Sequence, residues 1–229
     1  MKQEIRQALK NLSSDTDAFF SEDHFKLEFA IELDALLNEP KREFDIIPEF
    51  PYDAKSAAGQ DVHMIFDLMI IEKSSGNRAA IEFKYKTKEQ KNLKVLKAYA
   101  YQPKSQRGLI PGRFDCWSDI ERLEYEKEQG YLAEGYFIFV TNDSAYYQAG
   151  GSTPGSSQSG SFSLESGKHV HEIKTLPTNA PKNTWGNRRI DHSLRFPNGA
   201  KGILIKGDYD FQYDPFGQAG FKSLLVEVK

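Results

Sequence analysis

Asp67 is an acid in the middle of a strongly apolar run, VHMIFDLMII (Val62–Ile71). Burying a carboxylate in such a strand is costly unless it is paired or binds a metal ion. A Ser74-Ser75-Gly76-Asn77 turn signal follows, then RAAIEFKYK (Arg78–Lys86), which carries Glu82 and Lys84. Alternate residues of a strand share a face, so Glu82 and Lys84 project together, away from Ile81, Phe83 and Tyr85. A turn centred between Ser75 and Gly76 pairs residues whose numbers sum to 151, setting Asp67 opposite Lys84 and diagonal to Glu82. Two carboxylates on adjacent strands are hard oxygen ligands suited to Mg2+ or Mn2+, and a neighbouring ammonium can hold a water or stabilise developing charge. These are the parts that phosphodiester hydrolysis needs. The competing account is a buried Asp67–Lys84 ion pair with Glu82 at its edge.

The elements that must position these groups are legible from periodicity. Residues 2–12 predict a short helix with Ile5, Leu9 and Leu12 on one side. A second helix is expected from an N-cap at Ser21 to about Asn38, stopped by Pro40, with the stripe Phe25, Phe29, Leu33 and Leu36. That stripe runs back onto Glu22, whereas Glu28 and Glu32 fall on a flank toward water. Phe44–Tyr52 reads as a strand broken by Pro48 and Pro51, and therefore an edge or a bulged one. Val62–Ile71 reads as a central strand buried on both faces, and Arg78–Lys86 as its hairpin partner. A lysine-rich stretch with helical character follows, then a helix over Asp115–Gln129 and a strand over Tyr136–Thr141. The order predicts an α/β domain with a mixed sheet flanked by helices. Residues 1–149 form its core, 150–167 a flexible Ser/Gly-rich loop, and 168–229 a β-rich C-terminal elaboration of the same domain. That elaboration holds Trp185, strands at Gly202–Lys206 and Ser223–Val228, and an aromatic turn over Tyr209, Phe211, Tyr213 and Phe216.

The D-x14-E-x-K pattern across a hairpin, after an N-terminal helix, resembles the PD-(D/E)XK nucleases, the restriction-endonuclease-like superfamily. The resemblance covers about Ser21 to Asp143. It implies that Asp67 and Glu82 are metal-binding acids, that the Phe83 backbone carbonyl is a further ligand, and that Lys84 is the catalytic lysine. Phe66 stands where the motif has Pro. The resemblance also implies a Glu from the first core helix at the metal site, for which Glu22 is the candidate and Glu28 the runner-up, with Glu49 a weaker alternative. Glu22 is equally explained as an acid complementing the helix dipole. It further implies Mg2+ or Mn2+ as cofactor, a 5′-phosphate product and a nucleic-acid substrate, DNA first, cut endonucleolytically. Polar residues from the helix after the hairpin often join such sites, and Asp115, Asp119 and Arg122 share a face there. A surface Asp119–Arg122 pair is the favoured account of them. The Gln-x3-Tyr signature of the exonuclease-like branch is missing from that helix. The rival expectation is a catalytically inactive nucleic-acid-binding or scaffold module. Cleavage of both duplex strands would call for a homodimer.

Composition narrows the remaining classes. The chain has 229 residues, 30 Lys and Arg, 33 Asp and Glu, and one Cys, which excludes an internal disulfide framework and a cysteine zinc site. It contains no run approaching a membrane helix and no signal-peptide core, so a soluble, cytoplasmic protein is expected. The net charge of −3 hides a segregation: residues 1–61 carry 14 acids and 7 bases, whereas Lys84–Arg107 carries eight bases and one acid. Lys86, Lys88, Lys91 and Lys94 are therefore candidate phosphate contacts, with Lys168–Lys206 a second basic block. His169 and His171 alternate on a strand without a third ligand and are expected to face solvent. Cys116 is expected in the core.

Overall fold

A computed structural model describes residues 1–96, 98–106, 108–148, 162–170, 172–175, 194–195 and 202–229. Its elements are α1 (Lys2–Asp15), α2 (Glu22–Asn38), β1 (Phe44–Lys55), β2 (Asp61–Glu72), β3 (Arg78–Lys86), β4 (Leu93–Val95), β5 (Tyr99–Tyr101) and α3 (Leu109–Glu128). Then come β6 (Glu134–Thr141), β7 (Gly167–His169), β8 (Glu172–Thr175), β9 (Gly202–Ile205), β10 (Tyr209–Phe211), β11 (Tyr213–Phe216) and β12 (Phe221–Glu227). The fold is mixed α/β: a six-stranded sheet in the order β1-β2-β3-β6-β12-β11. Only the β3–β6 pairing within that sheet is parallel.

Helices cover both faces. On one side α1 and α2 bury Ile5, Leu9, Phe25, Phe29 and Leu33 against Leu68, Ile70, Ile81, Phe83, Tyr85, Ile138 and Val140. Each such side chain contributes about 1.5–3 kcal/mol on burial. On the other side α3 places Trp117, Ile120 and Leu123 over Met69, Ala80, Phe137, Phe139 and Leu224. Ser21 caps α2 as its sequence position predicts, its hydroxyl accepting from the His24 amide at 3.1 Å.

Several expectations are corrected. Phe44–Tyr52 is not broken by its prolines; it is part of a twelve-residue edge strand, which absorbs the irregularity at Glu49, held at φ +50. β2 is buried on both faces only over Leu68–Ile70, and its first half leaves His63 and Ile65 exposed. The lysine-rich segment is a β4–β5 hairpin rather than a helix, because Leu93 and Val95, spaced by two, both enter the core. α3 begins six residues earlier than its polar pattern suggests. Of the Ser/Gly-rich segment, 150–161 lies outside the described residues, but Phe162 and Leu164 are fully buried near Phe114 and Trp117. The aromatic turn is two short strands, β10 and β11, the latter pairing with β12 at the far edge of the main sheet. His169 does not face solvent: its ring packs 4.3 Å from Phe211 and 5.4 Å from Trp117. His171 and Trp185 lie outside the described residues. Cys116 is in the core.

Candidate functional site

The β2–β3 ladder runs from Ile71 opposite Arg78 to Leu68 opposite Ile81, with paired numbers summing to 149. The turn is therefore centred between Ser74 and Ser75, one position earlier than the sequence suggests. It is closed by the Glu72 amide on the Asn77 carbonyl, with Gly76 at φ +73. The register is shifted by two, an even number, which leaves the paired residues 68–71 and 78–81 on their expected faces. Continued by one pair, it brings Asp67 level with Glu82 rather than Lys84.

Regular pairing stops there. Phe66 and Met69 pack in the α3-side core, Leu68 and Ile70 in the other, so the alternation of β2 changes face at Asp67, opposite Glu49, where the β1–β2 ladder skips one pair without changing register. Asp67 consequently points into the gap between β2 and β3, where its Oδ2 accepts the Phe83 amide at 2.8 Å. One step along β3, Glu22 Oε2 of α2 accepts the Tyr85 amide at 2.8 Å. Two strand amides left without a ladder partner are satisfied by two carboxylates, as a buried N–H requires. Glu82 and Lys84 face α3. Lys84 Nζ donates to the Phe83 carbonyl at 3.1 Å and is ion-paired to Asp119 Oδ2 at 2.5 Å. Arg122 Nη2 lies 2.6 Å from Glu82 Oε1 and 3.0 Å from Asp119 Oδ1.

The structure thus brings Asp67, Glu82, Lys84, Glu22 and the Phe83 carbonyl to one cleft. Glu28 instead pairs with His24 at 3.4 Å on the flank of α2. Asp119 and Arg122 are not a surface pair: their side chains retain 10% and 23% exposure and clamp the two β3 residues. Cys116, Ile120 and Leu123 around them on α3 are fully buried, and that spacing was the available signal. Lys26 was missed. Its Nζ lies 3.2 Å from Asp67 Oδ1, 2.5 Å from Glu49 Oε1 and 3.2 Å from Asp23 Oδ1. Its place one helical turn after Glu22 could have revealed it.

Electrostatics separates the two central acids. Burial works to raise the Asp67 carboxyl, but the Lys84 ammonium, the Phe83 amide and Lys26 together hold it below its ordinary value. Burial pushes Glu82, 1% exposed, well above its ordinary range; Arg122 opposes this, while the negative Asp119 and Asp67 add to it. Burial also raises Glu22, against the pull of Lys84 and the Tyr85 amide. Burial would lower Lys84, yet Asp119, Glu22 and Glu82 more than compensate and keep it cationic.

Among the described residues, no three or more His, Cys, Asp or Glu side chains form a group that could hold a metal ion. The donor set at the cleft, two carboxylates and a backbone carbonyl, is all oxygen. Oxygen donors are the type a hard divalent cation takes, but here the Phe83 carbonyl accepts Lys84 Nζ and the two carboxylates are ion-paired to Lys26 and Arg122. Lys88, Lys91 and Lys94 are exposed on the segment after β3, and Lys86 is half-buried at its end. In the second basic block, Arg195 and Lys206 are engaged by Glu128 at 2.7–2.9 Å, while most of that block lies outside the described residues. A cavity of about 790 Å³ lies elsewhere, between α1 and the β11–β12 edge. No described helix is long and apolar enough to cross a membrane. The chain matches no protein-family model, no curated protein and no solved structure.

Proposed function

We propose that this chain is a metal-dependent phosphodiesterase acting on nucleic acid, DNA in the first instance, with a restriction-endonuclease-like core. The reading is carried by the gap at the end of the β2–β3 ladder. There Asp67, held below its ordinary value, Glu82, pushed above its own by burial, and the Lys84 ammonium meet beside the Phe83 carbonyl. Titratable groups driven in opposite directions within one cleft are characteristic of catalytic centres. Asp67, Glu82 and the Phe83 carbonyl would hold Mg2+ or Mn2+. When bound, the metal supplies Lewis acidity toward a phosphate oxygen and a more acidic water.

The chain's own groups do the rest. Lys84 presents a permanent positive charge where negative charge develops on the phosphate, and it can hold a water by hydrogen bonding. Glu22 and Asp67 keep the β3 backbone in place by accepting its amides. Asp119 and Arg122 orient Lys84 and Glu82. Lys86, Lys88, Lys91 and Lys94 follow the same strand and would neutralise flanking phosphates.

One observation favours the rival reading of an inactive nucleic-acid-binding module: Arg122 and Lys26 already compensate Glu82 and Asp67 without any metal. Cleavage of plasmid and oligonucleotide substrates in Mg2+, Mn2+ or EDTA separates the two. Cutting that requires metal and disappears in both Asp67→Ala and Lys84→Ala is the expected result. Binding without cutting in either metal would select the inactive module.

A further inference from the structure

An aromatic cluster stands beside the cleft. Phe20 and Tyr99 are 46% and 59% exposed, and Tyr101 is half-buried between solvent and core. The Phe20 ring meets Tyr101 edge-on at 5.2 Å and Tyr99 at 6.4 Å, and His24 stacks on it at 5.1 Å. Scattered exposed aromatics are ordinary, but a contiguous cluster with two rings about half in water marks a binding surface.

The cluster is fixed relative to the catalytic strand. The Tyr85 hydroxyl donates to the Phe19 carbonyl at 3.1 Å and accepts the Phe19 amide at 3.0 Å, while the Tyr85 amide donates to Glu22. Residues 19–22 are thereby held at both ends by the neighbour of Lys84. The Tyr101 hydroxyl donates to the Phe20 carbonyl at 3.0 Å, joining β5 to the same segment.

The hairpin side of the cluster is basic, while Asp23 and Glu28 lie on its α2 side. Tyr99 and Tyr101 belong to the hairpin whose other strand carries the exposed Lys94, and exposed Lys88 and Lys91 precede it. Glu89, the one acid within Lys84–Arg107, accepts from the Gln102 side chain at 2.8 Å. A cationic track interleaved with exposed rings suits a polyanion with flat apolar faces. In a duplex those faces are covered by neighbouring bases; in an unpaired strand they are free to stack on aromatic side chains.

We propose that Phe20 and Tyr99 form a base-stacking platform that holds an unpaired stretch of nucleic acid at the entrance to the cleft, so that the substrate is single-stranded or carries a single-stranded arm. The inference rests on the nucleic-acid reading of the site and adds the substrate class. It is tested by fluorescence anisotropy on the full chain, in EDTA so that nothing is cleaved, with a labelled single strand and the matching duplex.

The single strand should bind more tightly. Phe20→Ala and Tyr99→Ala should each weaken it by about ten-fold, in the lower half of the range for one stacked base, and leave duplex binding unchanged. Tyr99→Phe should retain affinity, and thermal unfolding of each variant reports whether it is folded. Equal or tighter duplex binding would overturn the platform, as would folded alanine variants with wild-type affinity. In those cases the nucleic-acid reading stands. Failure of wild type to bind either probe would remove that reading and the platform together. Self-association lost in Phe20→Ala, without any effect on the oligonucleotide, would assign the cluster to a second copy of the chain and overturn the proposal.

Discussion

Arg122→Met tests whether the cleft is an electrostatic balance rather than a chance collection of charges. Glu22, Asp67, Glu82 and Asp119 oppose Lys26, Lys84 and Arg122, four acids against three bases. The substitution keeps most of the stem volume but removes the cation 2.6 Å from Glu82, leaving a 1%-exposed carboxylate without its principal partner. Breaking a buried pair from one side costs about 3–5 kcal/mol. Asp119 keeps Lys84 at 2.5 Å, so the lower end applies, about 3 kcal/mol. At ~2–4 °C per kcal/mol for a chain of this size, the melting temperature in EDTA should fall by about 6–12 °C. Differential scanning calorimetry of wild type, Arg122→Met, Glu82→Gln and the double variant completes the cycle. The double variant should recover more than half of the loss, because Gln carries no charge to strand. If Mg2+ binds at Asp67 and Glu82, it should raise the melting temperature of Arg122→Met more than that of wild type, since a competing cation has been removed. Arg122→Met melting together with wild type in EDTA, or a double variant no better than the single, would refute the balance.

Two further glutamates of α3 should respond in opposite directions to the same substitution. Glu126 is raised by burial against the Tyr52 hydrogen bond, and its Oε1 has no hydrogen-bond partner although buried. A carboxyl raised on folding loses stability as the pH rises from its unfolded value, 4.5, through its folded one. Glu126→Gln should therefore raise the melting temperature at neutral pH, an advantage that shrinks to nothing on acidification below 4.5; a pH-independent difference would contradict the cause. Glu124 has the opposite environment: its oxygens accept the Lys206 amide at 2.9 Å, the Gly207 amide at 2.8 Å and the Tyr209 hydroxyl at 2.6 Å. An amide would turn its NH2 toward donors, so Glu124→Gln should cost about 1.5–3 kcal/mol. Hydrogen exchange should show faster opening of β9 and β10, and unchanged protection there would count against this role.

The contrast between what was legible and what was not follows from which interactions are local. The bounds of β3, the Ser21 cap and the shared face of Glu82 and Lys84 come from a strand's two-residue period and from side-chain–backbone bonding within one turn of helix. The hairpin register does not, because it depends on which residues the turn selects, and the turn was centred one position away. That error moved the pairing by two residues, an even shift that keeps Glu82 and Lys84 on one face but changes the identity of the residue opposite Asp67. Position opposite Asp67 also matters less than regular pairing would suggest, since β2 changes face there and the carboxylate binds a backbone amide. The charged partners were the least legible part. Lys26, Asp119 and Arg122 look like solvated helix residues when each helix is read alone, and become site residues only when α2 and α3 approach the sheet from opposite sides. The helix expected in the lysine-rich segment failed for a related reason: Lys94 and its exposed neighbours are compatible with either element, and burial of Leu93 and Val95 decided for strand. A period-two apolar pair flanked by period-two tyrosines was the local sign of that hairpin, outweighed by the lysines around it. Local pattern therefore tells which side chains can share a face, whereas the charges that set their protonation come from elements distant in sequence.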